Sequence, residues 1–129
     1  DYKKLKSGTY YKYYVVGYKL VDGKKVTISK TVRIHVATPG RGFGYVRKLQ
    51  LNRSKVTLKP GKSAAIKAKL LYSDGCIDNH VAIIRHYSSN SRVATVNSKG
   101  VIKAKRKGTC TIYYYAQNGL CKKVKVTVK

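Results

Sequence analysis

The sequence has no Glu, no Trp and no Met, and all four of its acids are Asp. Asp1, Asp22, Asp74 and Asp78 are scattered, so no carboxylate pair is spaced for general acid–base work. The three His (His35, His80 and His86) show no metal-ligand spacing. Ser88, Ser89 and Ser91 lack a His and Asp arrangement that would make one of them a nucleophile. Gly40, Gly42 and Gly44 precede a strand pattern rather than a helix, which argues against a phosphate loop. Asp74-Gly75-Cys76-Ile77-Asp78 lacks the other oxygen ligands and the closing Glu of a calcium loop, and reads as a turn. On this reading the chain is not an enzyme and holds no cofactor or metal. No apolar run approaches the roughly 18 residues that span a bilayer as a helix. No signal-peptide pattern is present. An opening Asp1 in place of Met is expected of a piece cut from a longer chain.

Basic charge is what the chain has in excess. Among 129 residues, 29 are Lys or Arg, for a net charge of +25. Residues 1–45 carry ten basic side chains and two Asp, a net of +8; residues 46–129 carry nineteen and two, a net of +17. The charge is therefore not a tail on a neutral domain. Apolar residues make up 43%, enough for a small core, so this is no disordered basic segment. The charge serves either solubility or attraction to an anionic polymer, since its potential reaches about 8 Å into physiological salt. Wall teichoic acid, acidic glycan, anionic lipid headgroups and nucleic acid all fit composition alone.

The local pattern has period two throughout, and no window keeps a helical period. Tyr and Val dominate residues 10–18. Asp22-Gly23 is a turn signal. Val26, Ile28, Val32, Ile34 and Val36 then recur at even positions, which predicts a hairpin with one apolar face. Pro39 to Gly44 holds three Gly and one Pro and reads as a linker that permits many angles. Beyond it, strands are expected around Ile66–Leu70, over 82–87, 92–96 and 101–105, and over 109–116 and 120–128. Short strands with turns between them point to an all-β sandwich.

The last hairpin can be read to its register. A two-residue turn at Asn118-Gly119 would set Ile112 opposite Lys125 and mix apolar with charged residues on one face. A three-residue loop, 117–119, instead pairs Ala116 with Leu120, Tyr114 with Lys122, Ile112 with Val124 and Cys110 with Val126. Gly119 then takes the left-handed position. This register turns Cys110, Ile112, Tyr114, Ala116, Val124, Val126 and Val128 inward. It turns Tyr113, Tyr115, Cys121, Lys123 and Lys125 outward. Tyr is unusually abundant, with 12 against one Phe. Tyr10, Tyr14, Tyr18, Tyr113 and Tyr115 fall on outward parities among Lys. They are either β-forming cover for a half-exposed sheet or a flat basic face whose rings stack on sugars. The candidate anionic-ligand face is Tyr113, Tyr115, Lys123 and Lys125.

Two stretches resemble known families. Ser88-Ser89-Asn90, then Val93-Ala94-Thr95-Val96, Gly100, Val101-Ile102, Lys103-Ala104 and Gly108-Thr109-Cys110-Thr111-Ile112 resemble the signature of bacterial Ig-like domains of group 2. The resemblance covers residues 48–129. His86 stands where the pattern often has Trp, and Cys110 where it has Ala. Residues 1–38 resemble the C-terminal part of a fibronectin type III domain, a β-hairpin with Tyr11 at the corner-tyrosine position. Residues 39–47 would link the two units. The resemblance implies an Ig-like β-sandwich with an extra N-terminal hairpin. It also implies a structural or adhesive role in a bacterial cell-surface or secreted protein. In that extracellular setting the alternative to a purely structural role is binding of an anionic polymer, a cell-wall polymer or acidic glycan, and nucleic acid is disfavoured. In such sandwiches the loop holding Cys76 lies at the same end as the loop before Cys121. A Cys76–Cys121 disulfide is therefore expected, with Cys110 a buried thiol. A lone hairpin is marginal in water. Its face of Tyr11, Tyr13, Val15, Ile28, Val32 and Ile34 should be covered by a second chain in a homodimer or by the C-terminal domain.

Overall fold

The computed structural model describes residues 4–31, 33–38, 46–72 and 83–129. Among them are thirteen strands and no α-helix. They are β1 (Tyr10–Tyr13), β2 (Val16–Val21), β3 (Lys24–Lys30), β4 (Ile34–Ala37), β5 (Val46–Leu51), β6 (Lys55–Leu58), β7 (Ser63–Ala65), β8 (Ala68–Tyr72), β9 (Arg85–Ser88), β10 (Ala94–Val96), β11 (Val101–Ala104), β12 (Gly108–Tyr115) and β13 (Cys121–Val128). The expected all-β class and sandwich architecture hold.

Strands β5 to β13 form the sandwich. One layer has the order β6-β13-β12-β9, with β6 parallel to β13. The other is built from β10-β11-β7 and β5-β8. β7 and β8 follow one another closely along the chain, so one stretch serves both ladders. Ile66 between them still donates its N–H to the Gly100 carbonyl at 3.2 Å. The core lies between the layers. Ile112, Tyr114, Val124, Val126 and Val128 come from the first. Leu49, Ile66, Leu70, Ala94, Ile102 and Ala104 come from the second.

The final hairpin has the expected register. Tyr114 pairs with Lys122, Ile112 with Val124 and Cys110 with Val126. Ala116 and Leu120 close the loop with a 2.8 Å bond, and Gly119 has φ +87°. Every side chain expected to face inward is buried. Tyr114 sits at the centre with 0% exposure, and its hydroxyl donates to the Gly100 carbonyl at 3.0 Å. Gly100 has φ +74°, and a Cβ there would lie 3.2 Å from the Ile66 carbonyl. Asn97 builds this turn by accepting from the N–H groups of Lys99 and Val101 through Oδ1.

Several expectations need correction. β5 begins at Val46, which is 2% exposed, so Val46 and Arg47 belong to the sandwich rather than to a linker over 39–47. Residues 39–45 lie outside the described residues. The short strands β6 and β7 carry only four and three residues and leave little alternation to read. The strand expected over 92–96 starts at Ala94, because Asn90 caps a turn that takes Arg92 and Val93.

The N-terminal hairpin forms as two ladders, not as two continuous strands. β1 pairs with β4, and β2 with β3, around a turn in which Asp22 has φ 49° and Gly23 φ 75°. Lys6 donates its N–H to the Tyr11 hydroxyl at 2.7 Å. Thr38 ties the base by donating to the Lys6 carbonyl and accepting from the Thr9 N–H. Among the described residues the sandwich meets the hairpin at the start of β4. His35 N–H donates to the Gln117 carbonyl at 2.5 Å, and Arg85 donates to the Arg33 carbonyl. Ile34 packs beside Gly119. The described residues of the sandwich leave the rest of that face open: Val15 is 69% and Ile28 65% exposed. Val32 lies outside the described residues.

Candidate functional site

The outward parity of β12 and β13 carries Tyr113, Tyr115, Lys123 and Lys125. A register that points Ile112 and Tyr114 into the core must turn their neighbours out. Tyr113 and Tyr115 lie two residues apart on one face. Their rings stack with centroids 6.0 Å apart and planes inclined by 10°. Tyr113 pairs with Lys123 across the ladder, and the Lys123 ammonium lies 5.5 Å from the Tyr113 ring centroid. Lys125 sits one step along, opposite Thr111 on one side and Lys55 on the other. The four residues thus share one surface, with Lys125 at its far end.

Sequence reasoning missed Tyr87. β9 adds to the free edge of β12 and places Tyr87 opposite Tyr113. Their rings are 6.0 Å apart, and Tyr87 is 60% exposed. The signal was the parity of 85–88, unusable without the β9–β12 register. Burial, with smaller contributions from Cys121 and the neighbouring Tyr hydroxyls, raises the Tyr115 pKa. The upward shift keeps Tyr115 a neutral phenol at neutral pH.

The other Tyr named from sequence lie on the hairpin. Lys25 sits over Tyr18 at 4.6 Å and Lys30 over Tyr14 at 4.3 Å. These are cation–π contacts made within the hairpin. They occupy one side of each ring and lie apart from the sandwich face. His86 packs edge-on against Tyr114 with centroids 4.7 Å apart, and burial lowers its pKa. It is a packing residue beside the core.

Cys110 is buried, and desolvation raises its pKa against smaller opposing contributions from the Ser88 side chain and the Ala94 backbone. Cys121 is half-buried, a thiol next to the Lys122 carbonyl. Cys76, its expected disulfide partner, lies outside the described residues, as do His80 and the turn over 74–78.

Residues 45–128 match the bacterial Ig-like domain (group 2). The chain belongs to this family. The Ig-like domain therefore starts at or just before Val46, where β5 starts. Over 88 residues the chain is 41% identical to kappa-carrageenase of Pseudoalteromonas carrageenovora. That match takes in 64% of this chain and 21% of the relative's length. Among solved structures, domains 4 and 5 of the S-layer protein SbsC align over 78% of this chain and 59% of theirs. The TM-score is 0.57 at 17% identity. A longer piece of the same protein, domains 4–9, aligns over 98% of this chain and 23% of its own. There the TM-score is 0.56 at 18% identity. At such identities the likeness is one of fold.

Proposed function

We propose that this chain is a non-catalytic, structural and adhesive Ig-like module of a bacterial cell-surface or secreted protein. The observation that carries this reading is the sandwich of residues 46–128 itself. Its inward side chains form an apolar core between the two layers. Kinship with a part of a carrageenase and fold likeness to an S-layer protein support the setting. Fibronectin-type character of residues 1–38 is part of the proposal, and the Tyr11–Lys6 bond has the form of a tyrosine corner. The test is to incubate the full chain with acidic and neutral polysaccharides and assay new reducing ends. None are expected, and their appearance would overturn the non-catalytic reading.

A second reading rests on the Tyr–Lys surface. Tyr87, Tyr113 and Tyr115 beside Lys123 and Lys125 suit an acidic glycan or wall polymer. Ring planes can lie against sugars while ammonium groups meet the anionic substituents. Binding by this face should survive moderate salt and prefer one polymer. Attraction by net charge alone falls steeply as salt rises and shows no preference.

A further inference from the structure

A second feature joins this face from the side. Where the first strand of the sandwich changes sheets, β5 leaves β8 at Leu51 and β6 joins β13 only from Lys125 onward. The switch leaves an open groove of about 640 Å³ between the two layers. Asn52 braces its floor, accepting from Lys67 N–H at 2.9 Å and donating its own N–H to the Lys67 carbonyl. Ser54 holds the far end through a 2.8 Å bond from Lys125 N–H to its carbonyl.

The groove is lined by Lys48, Arg53, Lys67, Lys69, Lys122 and Lys123 and, among the described residues, by no acid. Asp22, at the hairpin tip, is the only acid among the described residues. Holding six exposed cations around one concavity costs repulsion that no described acid offsets. Lys123 lines the groove and also stands beside Tyr113, so groove and aromatic face are continuous. Apolar patches of Leu49 and Leu51 and the amides of Gln50 and Asn52 complete the walls.

We infer that this groove is the charge-reading subsite for a linear sulfated or carboxylated polysaccharide, whose chain continues over Tyr113 and Tyr115. The inference rests on the second reading above and extends it to residues outside the aromatic face. The volume suits a few sugar units and not a duplex nucleic acid about 20 Å across. No aromatic ring lines the groove, so the bases of a single strand would have nothing to stack on. Amide groups beside the cations supply partners for sugar hydroxyls.

Titration calorimetry of the full chain with a sulfated galactan, its desulfated form and single-stranded DNA at 0.15 M salt tests it. Three variants are compared with the unmutated chain. One is the groove triple Lys67→Gln, Lys69→Gln, Lys122→Gln. The second is a control triple with the same charge change, Lys59→Gln, Lys103→Gln, Lys105→Gln. The third is the face double Tyr113→Ala, Tyr115→Ala. The groove triple should lose about tenfold in affinity for the sulfated galactan, and the control triple about threefold or less. Equal losses in the two triples would overturn the groove and leave net charge as the cause. A face double that loses binding while the groove triple does not would overturn the groove and keep the aromatic reading. The reverse pattern keeps the groove and removes that reading. No binding by the unmutated chain overturns both, and tighter binding of DNA overturns the choice of polysaccharide. Amide shifts of the unmutated chain give a readout independent of variant folding, and they should concentrate at Lys48, Lys67, Lys69 and Lys122.

Discussion

The N-terminal hairpin and the β12–β13 hairpin are written in the same alphabet, Tyr, Val, Ile and Lys, yet one builds a core and the other does not. In β12–β13 the pairing stays in step over eight residues, so Ile112 meets Val124 and Cys110 meets Val126 on one face, which admits a charge only at its loop end, where Lys122 stands opposite Tyr114. In the N-terminal hairpin the register slips. Tyr13 pairs with Ile34, but past the break at 14–15 Val16 pairs with Lys30, and a bulge between Gly17 and Tyr18 shifts the ladder again. Val26 then faces Lys19 and Leu20 faces Lys25. Each one-residue slip moves a side chain to the other face, so both faces come out mixed. Alternation makes a strand. Register and a facing layer make a core.

The largest test of this contrast is a matched pair of truncations. Ile112→Ala should cost about 3–4 kcal/mol, because Ile112 is 0% exposed and its truncation opens a cavity in the core. Ile28→Ala, at 65% exposure, should stay within about 0.5 kcal/mol. Urea unfolding of both variants checks it, and similar midpoints would erase the distinction.

The next effect concerns Cys121. We propose that oxidation joins it to Cys76, stabilising the sandwich by roughly 3–4 kcal/mol over a loop of about 45 residues. Mass spectrometry of a tryptic digest should find the linked peptides, with Cys110 alkylated only after unfolding. Full alkylation of Cys121 in the native, air-oxidised protein would sink the bond.

Two glycines sharpen the comparison further. Gly100 and Gly23 have nearly equal φ, +74° and +75°, but only Gly100 has neighbours. Gly23→Ala should cost about 1 kcal/mol of backbone strain, localised to the hairpin. Gly100→Ala adds the approach to the Ile66 carbonyl and the Tyr114 ring, and should cost at least twice as much in thermal unfolding.

Tyr114 supplies a pH test confined to the sandwich. Burial pushes its pKa from 10.0 up to about 12. The folded state favours the protonated phenol, so this contribution is complete below pH 10 and is lost as pH rises toward 12. Tyr114→Phe should cost about 1–2 kcal/mol at neutral pH, since it removes the buried bond to Gly100. It should also flatten the alkaline limb of the stability curve. An unchanged limb would mean that another group governs it.

The smallest effect is association through the hairpin. We propose that its open face pairs weakly with a second copy, opposed by the +25 charge. Sedimentation velocity should show a dimer growing with concentration and salt, and Val15→Lys should reduce it. A monomer at every concentration and salt would remove this partner.

Strand parity in β12 and β13, the 117–119 loop and the buried state of Cys110 were all legible in the residues, because period two and one forbidden mixed face leave a single register. So was the surface position of Tyr113, Tyr115, Lys123 and Lys125. The sequence alone thus determined the all-β class and which side chains of the last hairpin face water. Tertiary structure decided the rest. It set Tyr87 beside Tyr113, because strands 85–88 and 112–115 are distant in the chain and only the β9–β12 ladder fixes their offset. It broke the N-terminal hairpin at positions no periodicity marks. It also gathered Lys48, Lys69 and Lys122 from three strands, and Lys67 from the link before β8, around one groove, since the sheet switch at 52–54 is a property of how the two layers pack and not of any local run of residues.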